Sequence, residues 1–276
     1  MKRFYVIGDP VGHSLSPVMQ GAALQALGLP HSYEAMRVTA AELPGVLDRV
    51  RRGSIHGLNV TVPHKIAAME LCDVLTDEAS SVSAVNTLFV DRTGRLVGTN
   101  TDCDGLRADL LAEGVVPRAV LVLGTGGAAR AAAVAMRTLG ARLGVAGRDD
   151  HAARALVHAV GYGEAVSWAR LEGPWDLIVN ATSAGMQGGP DGSAIAEAWT
   201  RAEKTSTPIA YDLIYRPRIT PFLARAASEG ARAISGLGML VEQGARALSL
   251  FLATPIDIGV RQVMRAAVEA AYFPPG

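Results

Sequence analysis

The chain has little cysteine, no excess of either charge and no long apolar run, and each absence removes a class of function. Two cysteines in 276 residues, Cys72 and Cys103, cannot make a disulfide framework, and neither has the close Cys or His spacing that a zinc site needs. Both read as incidental thiols. The six histidines (His13, His31, His56, His64, His151 and His158) also lack metal-ligand spacing, so no metal is expected. Lysine plus arginine equals aspartate plus glutamate at 26 each, without long blocks of one sign, which argues against nucleic acid or an anionic membrane surface and for a small-molecule partner. The amino-terminal apolar run Phe4–Ile7 is too short for a signal-peptide core or a membrane span, so a cytoplasmic location is expected. What the chain does have is 49% hydrophobic residues in many short runs, enough to bury ordinary cores over a length that favours about two domains.

Short apolar stretches alternate with helical patterns from the start: Phe4–Ile7, a helix from Pro17 to Leu27, Ser32–Val38, a helix over Ala41–Arg51, and Gly57–Val62. That order predicts an α/β unit with a mostly parallel sheet. A second unit of the same class is predicted from Val120 to Ala233, with strands at Ala119–Leu123, Leu143–Ala146, Leu177–Asn180 and Ile209–Leu213 between alanine-rich helices. The last forty residues are helical in pattern without a strand, and are expected to return to the first unit.

In the second unit, "AVLVLGTGGAARAAAVAMRTLG" reads strand, glycine turn, helix. Gly124, Thr125, Gly126, Gly127 and Ala128 would let a pyrophosphate approach main-chain N–H groups at a helix amino terminus, where the macrodipole favours negative charge. The next strand ends in Gly147-Arg148-Asp149, which points two ways. Arg148 suits the 2′-phosphate of NADP, and Asp149 suits the free 2′-hydroxyl of NAD.

The first unit offers polar groups. "GDPVGHSLSP" puts the hydroxyls of Ser14 and Ser16 just beyond the first strand, in a loop that is not a glycine-rich phosphate cradle. "GLNVTVPHK" alternates, so Asn59 and Thr61 share one face, and Lys65 falls in the first turn of a helix. A cation there is disfavoured by about 0.3–1 kcal/mol, which marks the lysine as placed for function. Asn86 in "SAVNTLFV" and Asp102 in "GTNTDCDG" are candidates to join it, Asp102 as the carboxylate that aims the amine. Gln243 lies on the apolar stripe between Leu240 and Ala247, where a buried amide needs a partner.

Taken together, "GHSLSP", "NVTVPHK", "AVNT", "GTNTD", "LGTGGAAR", "NATSAGM", "YDLIYRP" and "GLGMLVEQGA" resemble the shikimate dehydrogenase family in order and spacing over nearly the whole chain. The resemblance implies a substrate-binding α/β domain over 1–101, a Rossmann-type NAD(P)-binding domain over 102–235 and a helical segment over 236–276 that packs back on the first. It implies NADP-linked, reversible reduction of 3-dehydroshikimate to shikimate in aromatic amino-acid biosynthesis, by a monomer or homodimer. By position it makes Lys65 and Asp102 the catalytic pair, Ser14 and Ser16 donors to the substrate carboxylate with Tyr215 nearby, and Asn59, Thr61, Asn86 and Gln243 ligands of the ring hydroxyls. Thr182, Gly236 and Met239 are further cofactor-binding positions.

The chain departs from the pattern at Gln20-Gly21, where a His-Asn pair is usual, at Gly147 and Asp149, where Asn and Thr are usual, and at Ala184, where leucine is common. A cleft between the domains is the expected site, with domain closure bringing substrate to nicotinamide. The alternatives are a quinate/shikimate or aminoshikimate dehydrogenase using NAD and, from another class, a nucleotide-binding homologue without turnover.

Overall fold

The computed structural model describes residues 1–272 and divides into two compact units, Met1–Gly105 with Leu240–Gly276, and Leu106–Met239. The first contains β1 (Arg3–Gly8), α1 (Ser16–Ala26), β2 (Ser32–Arg37), α2 (Leu43–Arg51), β3 (Gly57–Val60), α3 (Lys65–Glu70), β4 (Val74–Leu75), α4 (Asp77–Val82), β5 (Thr87–Val90), β6 (Leu96–Thr99) and the first turn of α5 (Asp102–Ala112). Its sheet runs β2-β1-β3-β5-β6-β4. The β1–β2, β1–β3 and β4–β6 pairs are parallel and β5 is antiparallel to both neighbours. The β5–β6 hairpin is absent from the strands expected above, because its ends, Asn86-Thr87 and Thr99-Asn100-Thr101, are polar.

Alternation along β3 sorts its side chains. Leu58 and Val60 join Ile7, Leu47, Val50 and Leu88 in one buried cluster, where each full burial is worth roughly 1.5–3 kcal/mol. Asn59 faces the other way and is still only 8% exposed. On that side Gly57 carries no side chain because the Phe251 ring lies where its Cβ would be, 2.4 Å away, and Phe251 stacks on Phe4 at 5.2 Å.

The second unit contains β7 (Ala119–Leu123), α6 (Gly127–Thr138), β8 (Arg142–Ala146), α7 (Asp150–Val160), β9 (Glu164–Ala165), β10 (Trp175–Asn180), α8 (Ser193–Arg201), β11 (Lys204–Asp212), α9 (Pro221–Ser228) and β12 (Arg232–Ser235). All its pairs are parallel, in the order β12-β11-β10-β7-β8-β9. The order reverses between β7 and β10, the place where open α/β sheets bind ligands outside the carboxyl ends of their strands. Trp175, Trp199, Leu121, Ile178 and Phe222 lead its core. The helices α10 (Leu237–Leu252) and α11 (Ile258–Tyr272) end the described chain. In the first unit α1 comes close to α10: Gln20 Nε2 donates to the Gly244 carbonyl at 2.9 Å, and a Cβ at Gly244 would meet Met19 Cε at 2.2 Å. The Gln20 departure thus changes a helix contact.

Candidate active site

Lys65 is the first residue of α3 and Asp102 the first of α5. The Lys65 Nζ donates to Asp102 Oδ2 at 2.5 Å, with the two side chains 15% and 7% exposed. Asp102 at the head of a helix obeys the macrodipole and Lys65 opposes it, so the ion pair offsets the local mismatch. Asn100 fixes the loop ahead of Asp102: its Nδ2 donates to the Ala84 carbonyl at 2.9 Å and its Oδ1 accepts the Asp102 N–H at 3.0 Å. His64, beside the lysine, is 2% exposed and bonds the Val38 carbonyl through Nε2 at 2.6 Å, which makes it structural.

The amides form a buried chain. Tyr33 hydroxyl donates to Asn59 Oδ1 at 2.7 Å, and Asn59 Nδ2 donates to the Asn86 carbonyl at 3.2 Å and to Thr87 Oγ1 at 2.9 Å. Thr87 Oγ1 then donates to Asn86 Oδ1 at 2.8 Å, and Asn86 Nδ2 to Thr101 Oγ1 at 3.0 Å. Thr101 reaches Gln243 Oε1 at 3.5 Å, while Gln243 Nε2 donates to its own helix at the Leu240 carbonyl. Gly105 is needed under this last residue, since a Cβ there would sit 2.7 Å from Gln243 Cβ. Three predicted site residues, Asn59, Asn86 and Gln243, are thus joined through Thr87 and Thr101, which the sequence does not single out, as it does not single out Tyr33. The strings "AVNT" and "GTNTD" carry the two threonines; nothing in the sequence pairs Tyr33 with Asn59.

Ser16 is the first residue of α1 and Ser14 lies in the loop just ahead of it, where its Oγ accepts the Ser16 N–H at 3.3 Å. Their loop is tied to the end of β3 by Asp9 N–H to the Val62 carbonyl at 3.1 Å and by Gly8, whose missing Cβ makes room for Thr61 Cγ2. Tyr215 belongs to the other unit, in the loop after β11.

In that unit Gly124 has φ +125° and ends β7 against the Ala181 carbonyl, which a Cβ would approach to 3.0 Å. Gly126 is the amino-terminal cap of α6 and makes no side-chain cap bond, so the first-turn N–H groups of Gly127, Ala128 and Ala129 present themselves as the turn predicts. This arrangement fits a dinucleotide pyrophosphate. The departure at 147 has a steric reason: a Cβ there would lie 2.8 Å from the Thr125 methyl. Asp149 is the cap of α7, its Oδ1 accepting the N–H groups of His151 at 2.8 Å and Ala152 at 3.3 Å. Its carboxylate is therefore engaged with the helix that follows, while Arg148 beside it is exposed.

Farther along, Asn180 Oδ1 accepts both the N–H and the hydroxyl of Thr182, and Asn180 Nδ2 donates to buried Asp212 at 3.0 Å. Asp212 also takes Ile214 N–H and the Thr220 hydroxyl, binding together the loops after β10 and β11. Burial pushes its carboxyl up to about 6, against the pull of its three donors. Gly236 lies against the main chain of Leu213, 2.4 Å from that carbonyl at its absent Cβ, and the Met239 N–H bonds the Tyr211 hydroxyl.

Residues 6–88 match the family model for the shikimate dehydrogenase substrate binding domain. The chain is similar to a shikimate dehydrogenase (NADP(+)) of Synechococcus sp. (strain JA-2-3B'a(2-13)), at 41% identity over 274 residues, covering 96% of this chain and 93% of the relative. It is similar in structure to shikimate 5-dehydrogenase of Thermus thermophilus in complex with shikimate, with TM-score 0.85 and 39% identity over 99% of both chains. The same enzyme in complex with NADP(H) and shikimate gives TM-score 0.83 and 40% identity, over 97% of this chain and all of that one.

Proposed function

The chain belongs to the shikimate dehydrogenase family, and from that premise we propose that its Lys65–Asp102 pair carries proton transfer in the NADP(H)-dependent interconversion of 3-dehydroshikimate and shikimate. The observation that supports this reading most is the pair itself, an amine and a carboxylate 2.5 Å apart and largely buried, beside a chain of oriented amides and hydroxyls.

In reduction the substrate carbonyl oxygen becomes an alkoxide and takes a proton from Lys65 Nζ, which solvent later restores; in oxidation the amine removes that proton. Asp102 holds the amine by one oxygen and accepts a neighbouring substrate hydroxyl with its remaining lone pairs. When bound, the cofactor supplies or accepts the hydride. Ser14 and Ser16 donate to the substrate carboxylate at the head of α1, where the helix dipole also favours an anion. Asn59, Thr61, Asn86 and Gln243 hold the ring hydroxyls, with Tyr215 near the carboxylate. Gly124 to Ala128 would hold the cofactor's pyrophosphate and Arg148 its 2′-phosphate, with Thr182, Gly236 and Met239 as further cofactor-binding residues. Met1–Gly105 with the helical return from Leu240 make the substrate half, and Leu106–Met239 the cofactor half.

The test is a steady-state panel of shikimate, quinate and aminoshikimate, each with NADP and NAD. Shikimate with NADP is expected to give the highest kcat/KM. A higher value with quinate, aminoshikimate or NAD reassigns substrate or cofactor, and no turnover in any pairing overturns the reading.

A further inference from the structure

We infer that Tyr33 and Thr87 are positioning residues that hold Asn59 and Asn86 in the hydrogen-bond polarity two main-chain groups impose, so that the substrate half selects ring hydroxyls over groups that can only donate or only accept. This rests on the proposed roles of the two asparagines as substrate ligands.

The polarity follows from main-chain groups that cannot reverse. Asn59 Nδ2 faces the carbonyl of Asn86 at 3.2 Å. A carbonyl only accepts, so a flipped Asn59 would set oxygen against oxygen. The amide therefore keeps Nδ2 inward, both of its hydrogens are spent on Asn86 O and Thr87 Oγ1, and Oδ1 is left toward Tyr33. Tyr33 must then be the donor. The other end is fixed by the N–H of Thr101, which only donates and meets Asn86 Oδ1 at 2.9 Å. Asn86 thus keeps its oxygen inward, accepting Thr101 N–H and Thr87 Oγ1–H, and gives one Nδ2 hydrogen to Thr101 Oγ1. Thr87 sits between the two amides and completes the relay, accepting from Asn59 and donating to Asn86.

Capacity toward a ligand is what remains after these bonds. Asn59 has no hydrogen left and can offer only a lone pair of Oδ1, while Asn86 can offer one N–H. A hydroxyl gives and takes, so it satisfies either group. An ammonium cannot accept from Asn86, and a carbonyl, ether or fluorine cannot donate to Asn59. Asn59 and Asn86 are 8% and 2% exposed, with Thr87 wholly buried and Tyr33 at 6%, so water cannot easily make up a missing bond and each mismatch is penalised. Tyr33 reaches Asn59 across β1, which lies between their strands in the sheet. The pair is therefore tertiary and invisible in the local sequence.

The experiment uses the full chain with NADP, and measures kcat and KM for shikimate and for analogues in which one ring hydroxyl is replaced by hydrogen, fluorine or an amine. The proteins are wild type, Thr87→Val and Tyr33→Phe. Thr87→Val should raise the KM for shikimate about tenfold, the factor for one buried hydrogen bond, while kcat and NADP affinity change less than about threefold. The penalty for the amine and fluorine analogues should shrink at one hydroxyl position and persist at the others. Tyr33→Phe should do the same more weakly, because the Asn86 carbonyl still opposes a flip, and it carries the test if thermal melts show that Thr87→Val fails to fold. Wild-type KM in both variants, or an equal loss for every analogue, would overturn the inference, as would a fall in kcat at unchanged KM. A wild-type protein that does not turn over shikimate overturns the proposed function instead, which keeps the two failures apart.

Discussion

The two units present their candidate ligand groups by different means. In Met1–Gly105 with Leu240–Gly276, the candidate ligand groups are side chains, and other buried side chains hold them: Tyr33 and Thr87 on Asn59, Thr101 on Asn86 and Gln243, Asn100 on the loop of Asp102. In Leu106–Met239 they are mostly main-chain N–H groups at the head of α6, shaped by what is missing, with Gly124 against Ala181 and Gly147 against Thr125. A dinucleotide's phosphates need charge and close approach, which backbone and glycine supply. A small polyhydroxylated ring differs from its analogues by single hydroxyls, so its recognition requires amides of fixed direction. The substrate half should therefore be fragile to isosteric loss of polarity, and the cofactor half to added bulk or changed charge.

The largest test of that contrast is at the catalytic pair. Lys65→Ala should lower kcat by about 10²–10⁴, the usual range for a positioned acid or base, with NADP affinity nearly intact. Asp102→Asn should be similarly damaging and the double variant little worse than either, since residues acting as a unit are non-additive. Near-wild-type kcat in Lys65→Ala would make the buried pair structural rather than catalytic, and multiplicative losses would separate the two roles.

A buried carboxylate makes the stability of the cofactor half depend on pH. Burial pushes the Asp212 carboxyl up to about 6 in the folded chain, against about 4 for an unfolded aspartate. Between those values the folded chain keeps a proton that the unfolded chain has lost, so this group's contribution is fully present below about pH 4 and is lost as pH rises through about 6. The span corresponds to roughly 2–3 kcal/mol. Asp212→Asn removes the titration, and its melting temperature relative to wild type should rise from about pH 4.5 to about pH 7. A difference independent of pH would mean that Asp212 stays ionised throughout.

How much of this was legible in the sequence divides along the same line. The cofactor half is legible because its signals are local: β7, β8 and β10 contain the apolar runs Ala119–Leu123, Leu143–Ala146 and Leu177–Val179, and the Gly124–Ala128 turn sits between a strand and a helix. Its two least apolar strands, β9 and β12, were missed, since Glu164–Ala165 is exposed and Arg232–Ser235 is largely so. In the substrate half, the helix start at Lys65 and the alternation at Asn59 were visible. The hairpin β5–β6 was not, because Thr87 and Thr99 are polar residues that only a buried network makes sense of. The partners of Asn59 depend on which strands neighbour β3, and no local pattern carries that.

Cofactor choice gives a smaller effect, and it isolates charge from backbone. Arg148→Ala should weaken NADP about tenfold more than NAD, the scale of one charge-assisted contact to phosphate. Equal losses for both cofactors would mean that the arginine only stacks on the adenine.

Asp149 is the finest probe, because its sequence argued for NAD and its structure gives it other work. As the cap of α7 it satisfies two main-chain N–H groups, so Asp149→Ala should cost about 0.5–2 kcal/mol of stability. Asp149→Thr, which also caps, should recover much of that loss. Neither variant should move the ratio of NADP to NAD affinity by more than about twofold if the carboxylate is held by the helix, a bound that follows from its leaving the ribose to Arg148. The measurement is a melt paired with cofactor titrations on each variant. A jump in NADP preference in both variants would show that the carboxylate repels the 2′-phosphate despite its capping bonds. The cofactor half would then depend on side-chain polarity as the substrate half does, and the contrast between the two units would fail at its weakest point.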